Sequence, residues 1–205
     1  MRIIAGVLSH DRFTLWRRTV KSLDKTAVPT GCEFDLLLYD NGSTDGRMLD
    51  YVMQRGGMVN YGRNHTIGHG FRTLAAAALK QQPDVMVLSG DDYEYRPDWL
   101  ARLVAFWQAA PPEVALCTLA IEPEYSHTPI LAVHEIGGEQ VQQRRTVPGA
   151  NWSLRPETWH DIEPMVPNNS HKYDHAVCAY LRENGRWLCA LDLATHIGEG
   201  QRSWK

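Results

Sequence analysis

The chain has 205 residues, 43% of them hydrophobic and 22% charged, a balance that excludes low-complexity disorder and fibrous repeats. Its 21 Lys plus Arg against 24 Asp plus Glu, a formal charge of −3, argue against a surface given over to nucleic acid. No apolar run approaches the roughly 20 residues that span a bilayer, and the opening MRIIAGVLSH turns polar too soon for a signal peptide, so a single cytoplasmic domain over residues 1–205 is expected.

Ile3 to Leu8 reads as a buried strand and Thr14 to Leu23 as the helix after it. Phe34 to Tyr39 is a second apolar run, too short for a helix, and the polar turn Asn41 to Gly46 stops it. A helix over Arg47 to Arg55, a short strand at Met58 to Asn60, an Ala- and Leu-rich helix over Phe71 to Leu79 and a strand at Asp84 to Ser89 continue the alternation. Pro97 is placed to open another helix, with Leu100, Leu103, Val104 and Trp107 on one apolar face. This rhythm predicts a parallel sheet with crossover helices.

After residue 112 the pattern becomes α+β. Val114 to Ile121, Ile130 to Ile136 and Gln140 to Val147 read as strands, with Gly137-Gly138 as a hairpin turn. Pro156 opens a short helix, His175 to Asn184 forms another with Gly185 behind it, and Trp187 to Leu193 is the last strand. The cysteines Cys32, Cys117, Cys178 and Cys189 have no C-x-x-C spacing and read as reduced, packed thiols.

In open α/β sheets ligands bind at the carboxyl ends of the strands, so the residues that follow each strand carry the functional information. After the first strand come Ser9, His10, Asp11 and Arg12; after the second, Asp40-Asn41-Gly42-Ser43-Thr44-Asp45-Gly46; after the fourth, Gly90-Asp91-Asp92. The second cluster is also what a turn with helix capping requires. Adjacent carboxylates at Asp91-Asp92 repel unless a cation or donor compensates them, and hard divalent metals take oxygen ligands. The glycines of Gly68-His69-Gly70 would let a diphosphate or base approach the backbone, but neither G-x-G-x-x-G nor a P-loop is present.

Taken in order, five segments resemble the family-2 glycosyltransferases: IIAGVLSHDRFTLWRRTVKSL, LLLYDNGSTDG, VMVLSGDDYEYRPDWLARL, VPGANWSLRPETW and YDHAVCAYLRENGRWL. The resemblance implies a GT-A fold: a Rossmann-like α/β architecture whose mostly parallel central sheet is flanked by helices. Residues 1–111 would form its nucleotide-sugar-binding half and 112–205 a smaller α+β acceptor-binding half. It implies that Asp40 reads the base, uracil being favoured, and that the chain near Ser9 supports base and ribose. Asp92 matches the last acid of the family's Asp-x-Asp motif and would hold Mn2+ or Mg2+ on the diphosphate; Asp91 would contact ribose or metal. Gly90 stands where the first acid often sits, one carboxylate fewer. His196 matches a late metal-ligating histidine, and Asp174 the catalytic base.

Tyr173 replaces the family's usual Glu beside that base. Gly149 lies in the acceptor-side glycine segment, and Trp152, Trp159 and Tyr173 could offer aromatic faces to an acceptor, although core packing explains a Trp equally well. Arg63 and Arg72 are the nearest cations to the expected uracil and phosphate, with a solvated helix face as the alternative for Arg72. His171 and His175 stand four apart, but the helix start at Asp174 breaks a metal-binding geometry.

The activity implied is metal-dependent transfer of a sugar from a nucleotide-diphosphate sugar, a UDP-sugar favoured, to a hydroxyl acceptor with inversion. Alternatives are a retaining transferase, a nucleotidyltransferase and a non-catalytic sugar-nucleotide-binding module. The acceptor stays open between glycan, lipid, protein, small molecule and modified nucleic-acid base; for the last, Arg144, Arg145 and Arg155 offer only a weak basic cluster.

Overall fold

The first strand, β1 (Arg2–Ser9), is buried on both faces from Ile3 onward, which requires a sheet covered by helices on both sides. The computed structural model, which describes residues 1–62, 64–121, 128–166 and 173–198, shows that arrangement. In chain order β1 is followed by α1 (Phe13–Asp24), β2 (Glu33–Asp40), α2 (Gly46–Gln54), β3 (Met58–Val59), α3 (Ile67–Leu79), β4 (Val85–Ser89), β5 (Tyr93–Tyr95) and α4 (Trp99–Ala109). The second half contains β6 (Val114–Thr118), β7 (Ile130–Ile136), β8 (Glu139–Arg144), β9 (Asn151–Leu154), α5 (Pro156–Ile162), a 3-10 turn (Glu163–Met165), α6 (Asp174–Glu183), β10 (Trp187–Ala190) and β11 (Ala194–His196).

Among the described residues one nine-stranded sheet runs β3-β2-β1-β4-β9-β6-β10-β8-β7. Only β8 and β9 run against the other strands, so the sheet is mostly parallel. The period of two in the strands sends Ile3, Ala5, Val7, Val85 and Val87 to one face, where α1, α2 and α4 pack with Trp16, Val20, Met48, Val52 and Leu103. Ile4, Leu8, Met86 and Leu88 go to the other, against α3, α5 and α6. There α3 lies close on β1, because a side chain at Gly70 would run into Leu8 at 2.5 Å. The β7–β8 hairpin turns at Gly137-Gly138, both at positive φ, the geometry a two-residue turn demands.

Several expected boundaries differ. The third helix starts at Ile67 rather than Phe71, because Thr66 caps it with a side chain that accepts from the His69 N–H. Gly68 and Gly70 are therefore buried helix residues and not a loop open to phosphate. Pro97 lies two residues before α4, whose N-cap is Asp98. The strand expected over Trp187 to Leu193 ends at Ala190 as β10, and the chain turns at Leu191-Asp192 so that β11 can pair with β5 in a separate two-stranded sheet. β5, β9 and β11 have three or four residues each and show no periodicity long enough to read in the sequence. All four cysteines are free thiols; burial pushes Cys189 up to about 12 and Cys178 up to about 11. No helix among the described residues is long and apolar enough to cross a membrane.

Candidate active site

Because β2, β1 and β4 are parallel neighbours, the residues after them meet at one edge of the sheet. Ser9 pairs with Asp40 in register, and Val7 with Ser89, so Asp91 arrives beside Ser9. The Ser9 hydroxyl donates to Asp91 Oδ2 at 2.5 Å. Asp91 is held from below by α1: Thr19 Oγ1 donates to its carbonyl at 2.8 Å and accepts from the Tyr93 N–H at 3.2 Å.

Arg12 spans both carboxylates. Its Nη1 lies 2.9 Å from Asp91 Oδ1 and its Nη2 lies 2.9 Å from Asp92 Oδ2, a two-pronged contact that suits the flat guanidinium. The same Asp92 oxygen is 3.2 Å from His196 Nε2. The β5–β11 pair explains that meeting, since His196 stands opposite Tyr93 and the Ile197 N–H donates to the Asp92 carbonyl at 2.7 Å. A Cβ at Gly198 would lie 2.9 Å from both Asp92 Oδ2 and His196 Nε2, so only glycine leaves this point open.

The two acids differ in electrostatic state. Burial pushes the Asp91 carboxyl up to about 7 despite the Arg12 charge, and the Asp92 charge adds to the rise. Burial acts on Asp92 in the same direction, but the contact with His196 and the Arg12 charge together hold it below the usual carboxylate range. Among the described residues no three or more His, Cys, Asp and Glu side chains form a complete metal cage. Asp92 Oδ2 and His196 Nε2 nevertheless suit two adjacent positions on one divalent cation, where ligands about 2.0–2.2 Å from the metal lie roughly 3 Å apart. The remaining positions would fall to oxygen ligands from outside the chain and to water.

Asp40 is fully buried at the end of β2. It accepts from the Ser43 N–H at 3.2 Å and from the Ser43 hydroxyl, and burial raises it against both bonds. Asp11, at φ +50, pins this turn to the one after β1: its N–H donates to Ser43 Oγ at 2.8 Å and its carboxylate accepts from the Thr44 N–H at 2.7 Å.

The segment before β9 lies against both Gly90 and Asp174. The Gly90 N–H donates to the Ala150 carbonyl at 2.7 Å, and a Cβ at Gly149 would lie 3.1 Å from Asp174 Cβ. Asp174, half-buried in the first turn of α6, is thus one loop away from Asp91-Asp92.

Other expected site residues have partners within the fold. Arg72 binds the turn after α5, donating to the Glu163 carbonyl at 2.9 Å and pairing with the Glu163 carboxylate at 2.9 Å. Trp152, Trp159 and Tyr173 are core residues whose rings offer no face to solvent. Trp152 Nε1 donates to the Pro148 carbonyl at 2.5 Å, and the Tyr173 hydroxyl donates to the Gly149 carbonyl at 2.6 Å. The expected basic cluster dissolves: Arg144 is buried against Thr128 and Gln142, and Arg155 lies over the Trp107 ring. Arg63 and His171 lie outside the described residues. Arg12, which the sequence placed only in the cluster after the first strand, reaches both acids because β1 lies next to β4.

The glycosyl transferase family 2 model matches residues 7–183, from β1 through α6. No curated protein sequence matches the chain. Among solved structures, the chain is similar to the mannosyltransferase PcManGT from Pyrobaculum calidifontis in complex with GDP-Man and Mn2+, at 15% identity and a TM-score of 0.64 over 92% of this chain and 56% of that one. GalNAc-T7 with UDP, GalNAc and Mn2+ is similar at 13% identity and a TM-score of 0.69, over 100% of this chain and 45% of that one. Residues 1-349 of S. aureus TarS in complex with UDP-GlcNAc are similar at 14% identity and a TM-score of 0.66, over 100% of this chain and 62% of that one. This chain therefore spans about half to three-fifths of those solved chains, and 35% of the longer TarS chain. They share its fold, that of GT-A glycosyltransferases, and the extent of the family match adds the lineage: the chain belongs to glycosyl transferase family 2.

Proposed function

We propose that this chain moves a sugar from a nucleotide-diphosphate sugar, a UDP-sugar favoured, to an acceptor hydroxyl with inversion, and that it needs Mn2+ or Mg2+. One observation carries the reading: Ser9, Arg12, Asp91, Asp92 and His196 converge at the ends of β1, β4 and β11, with Asp174 one loop away. The similar structures hold GDP-Man, UDP or UDP-GlcNAc, two of them with Mn2+, which supports a nucleotide sugar and a divalent cation here.

Asp40 is assigned to the base and the chain at Ser9 to base and ribose; Asp91, tied to Ser9, keeps that wall of the site fixed. Asp92 and His196 would hold the cation, which when bound supplies a Lewis acid for the charge that grows on the departing diphosphate. Asp174 receives the acceptor's proton as the hydroxyl oxygen attacks the anomeric carbon from the face opposite the diphosphate and the bond to the diphosphate breaks. Gly149 keeps the approach to Asp174 clear, since any side chain there would press on Asp174 and Tyr173. Tyr173 acts as a positioning residue through its bond to the Gly149 carbonyl, from the place where the resembling family carries Glu.

The test separates binding from chemistry. Asp174→Asn should lower transfer at least about a hundredfold with nucleotide affinity unchanged, the loss expected for a general base. Asp92→Ala should abolish transfer and also metal-dependent nucleotide binding. Full transfer by Asp174→Asn, measured by release of nucleoside diphosphate, would remove Asp174 from the reaction.

A further inference from the structure

The Asp91–Asp92 pair already has a cation, and it is a side chain. Arg12 reaches one oxygen of each acid at 2.9 Å, and its side chain is only 15% exposed. Its Nη2 shares Asp92 Oδ2 with His196 Nε2, and the three groups converge so closely that a Cβ placed at Gly198 would lie within 3.2 Å of all of them. A divalent cation on Asp92 and His196 would therefore face the guanidinium across a single carboxylate oxygen. Two positive charges on that oxygen repel, and the low-dielectric surroundings of a mostly buried acid pair leave the repulsion poorly screened.

We propose that Arg12 is the built-in counter-cation of this acid pair and competes with the divalent metal for it, so that metal entry requires the guanidinium to leave Asp92. This rests on the proposed function only in taking Asp92 and His196 as the metal-facing pair. The consequence is ordered loading. With the guanidinium in place metal alone binds weakly, and a ligand that draws Arg12 away, such as the phosphates of the donor, raises metal affinity; by reciprocity, metal raises affinity for that ligand. Arginine suits both positions, because its fork pairs with carboxylate and with phosphate in the same flat geometry.

The test is titration of the full chain with Mn2+ alone, without nucleotide, followed by calorimetry and by the electron paramagnetic resonance signal of free Mn2+. Arg12→Met keeps the aliphatic stem and removes the charge; it is expected to bind Mn2+ about tenfold or more tightly than wild type. Unchanged or weaker binding in Arg12→Met overturns the proposal, and weaker binding is also what a merely structural role would give. If Arg12→Met does not fold, as judged by its thermal melt, Arg12→Lys replaces it. Its single ammonium can face one carboxylate but not span two, so severalfold tighter Mn2+ binding is expected, and equal or weaker binding overturns the proposal. The titration uses metal alone, so a failure to bind any nucleotide, which would sink the glycosyltransferase reading, does not alter the comparison of Mn2+ affinities between variant and wild type.

Discussion

Asp40 sits where burial works against its charge. It has no exposed surface, and its oxygens turn to Ser43, yet burial still raises its carboxyl above the usual range. A carboxyl whose folded pKa lies above its unfolded one favours the fold at low pH, and that contribution is lost as pH rises through the folded value. Asp40→Asn keeps a carbonyl for the Ser43 N–H and removes the charge. It is therefore expected to melt at a higher temperature than wild type at neutral pH, with the advantage fading as pH falls through the raised folded value and gone by about pH 4. If Asp40 serves the base as assigned, the same variant should bind UDP at least about tenfold more weakly. Thermal melts across pH and a UDP titration check both halves; a lower melting temperature at every pH would contradict the electrostatic argument. The positions of Asp40, Asp91, Asp92 and Asp174 are legible in the sequence because each follows a readable strand or opens a readable helix. The contacts of Arg12, Arg72 and Tyr173 are not, because each depends on a partner far along the chain: Arg12 on Asp91 and Asp92, Arg72 on Glu163, and Tyr173 on Gly149.

At the scale of elements, three short pieces give the site its shape. β9 inserts antiparallel between β4 and β6 and carries Gly149-Ala150 to the edge where Asp91-Asp92 emerge. β5 and β11 bring His196 back to Asp92, while Thr19 and Ser22 of α1 brace the segment from below, Ser22 Oγ accepting from the Tyr95 N–H at 3.0 Å. α6 is fixed to the β9 approach by the Tyr173 hydroxyl, whose ring also meets Trp152 and Phe71 edge-on. Tyr173→Phe removes one partly buried hydrogen bond and leaves the Gly149 carbonyl without it, at a cost of about 0.5–1.5 kcal/mol in stability. Because Gly149 lies against Asp174, the variant should also lower the transfer rate while leaving nucleotide affinity intact; equal losses of rate and nucleotide affinity would show that α6 supports the donor side instead. The long elements were readable from periodicity, from β1 through α4 to α6. The short ones were not, because a strand of three or four residues is fixed by its neighbours: NWSL at β9 is a strand because β4 and β6 flank it.

Across the whole molecule, one mostly parallel sheet with a helical layer on each face places the ends of β1, β2 and β4 side by side, and the family match runs from β1 to α6. That arrangement followed from the alternation of strands and helices in the first half. The order of strands in the second half did not, because hairpin and inserted strands leave no periodic record of which neighbours they choose. On the proposed reading, this edge receives a nucleoside diphosphate together with a divalent cation. Titration calorimetry of the chain with UDP, GDP, CDP and dTDP, each with and without Mn2+, tests it most directly. Tight binding of one nucleotide, UDP expected, that depends on Mn2+ and is lost in Asp92→Ala would bear the claim out; binding of none of the four, or binding indifferent to Mn2+ and to Asp92→Ala, would contradict it.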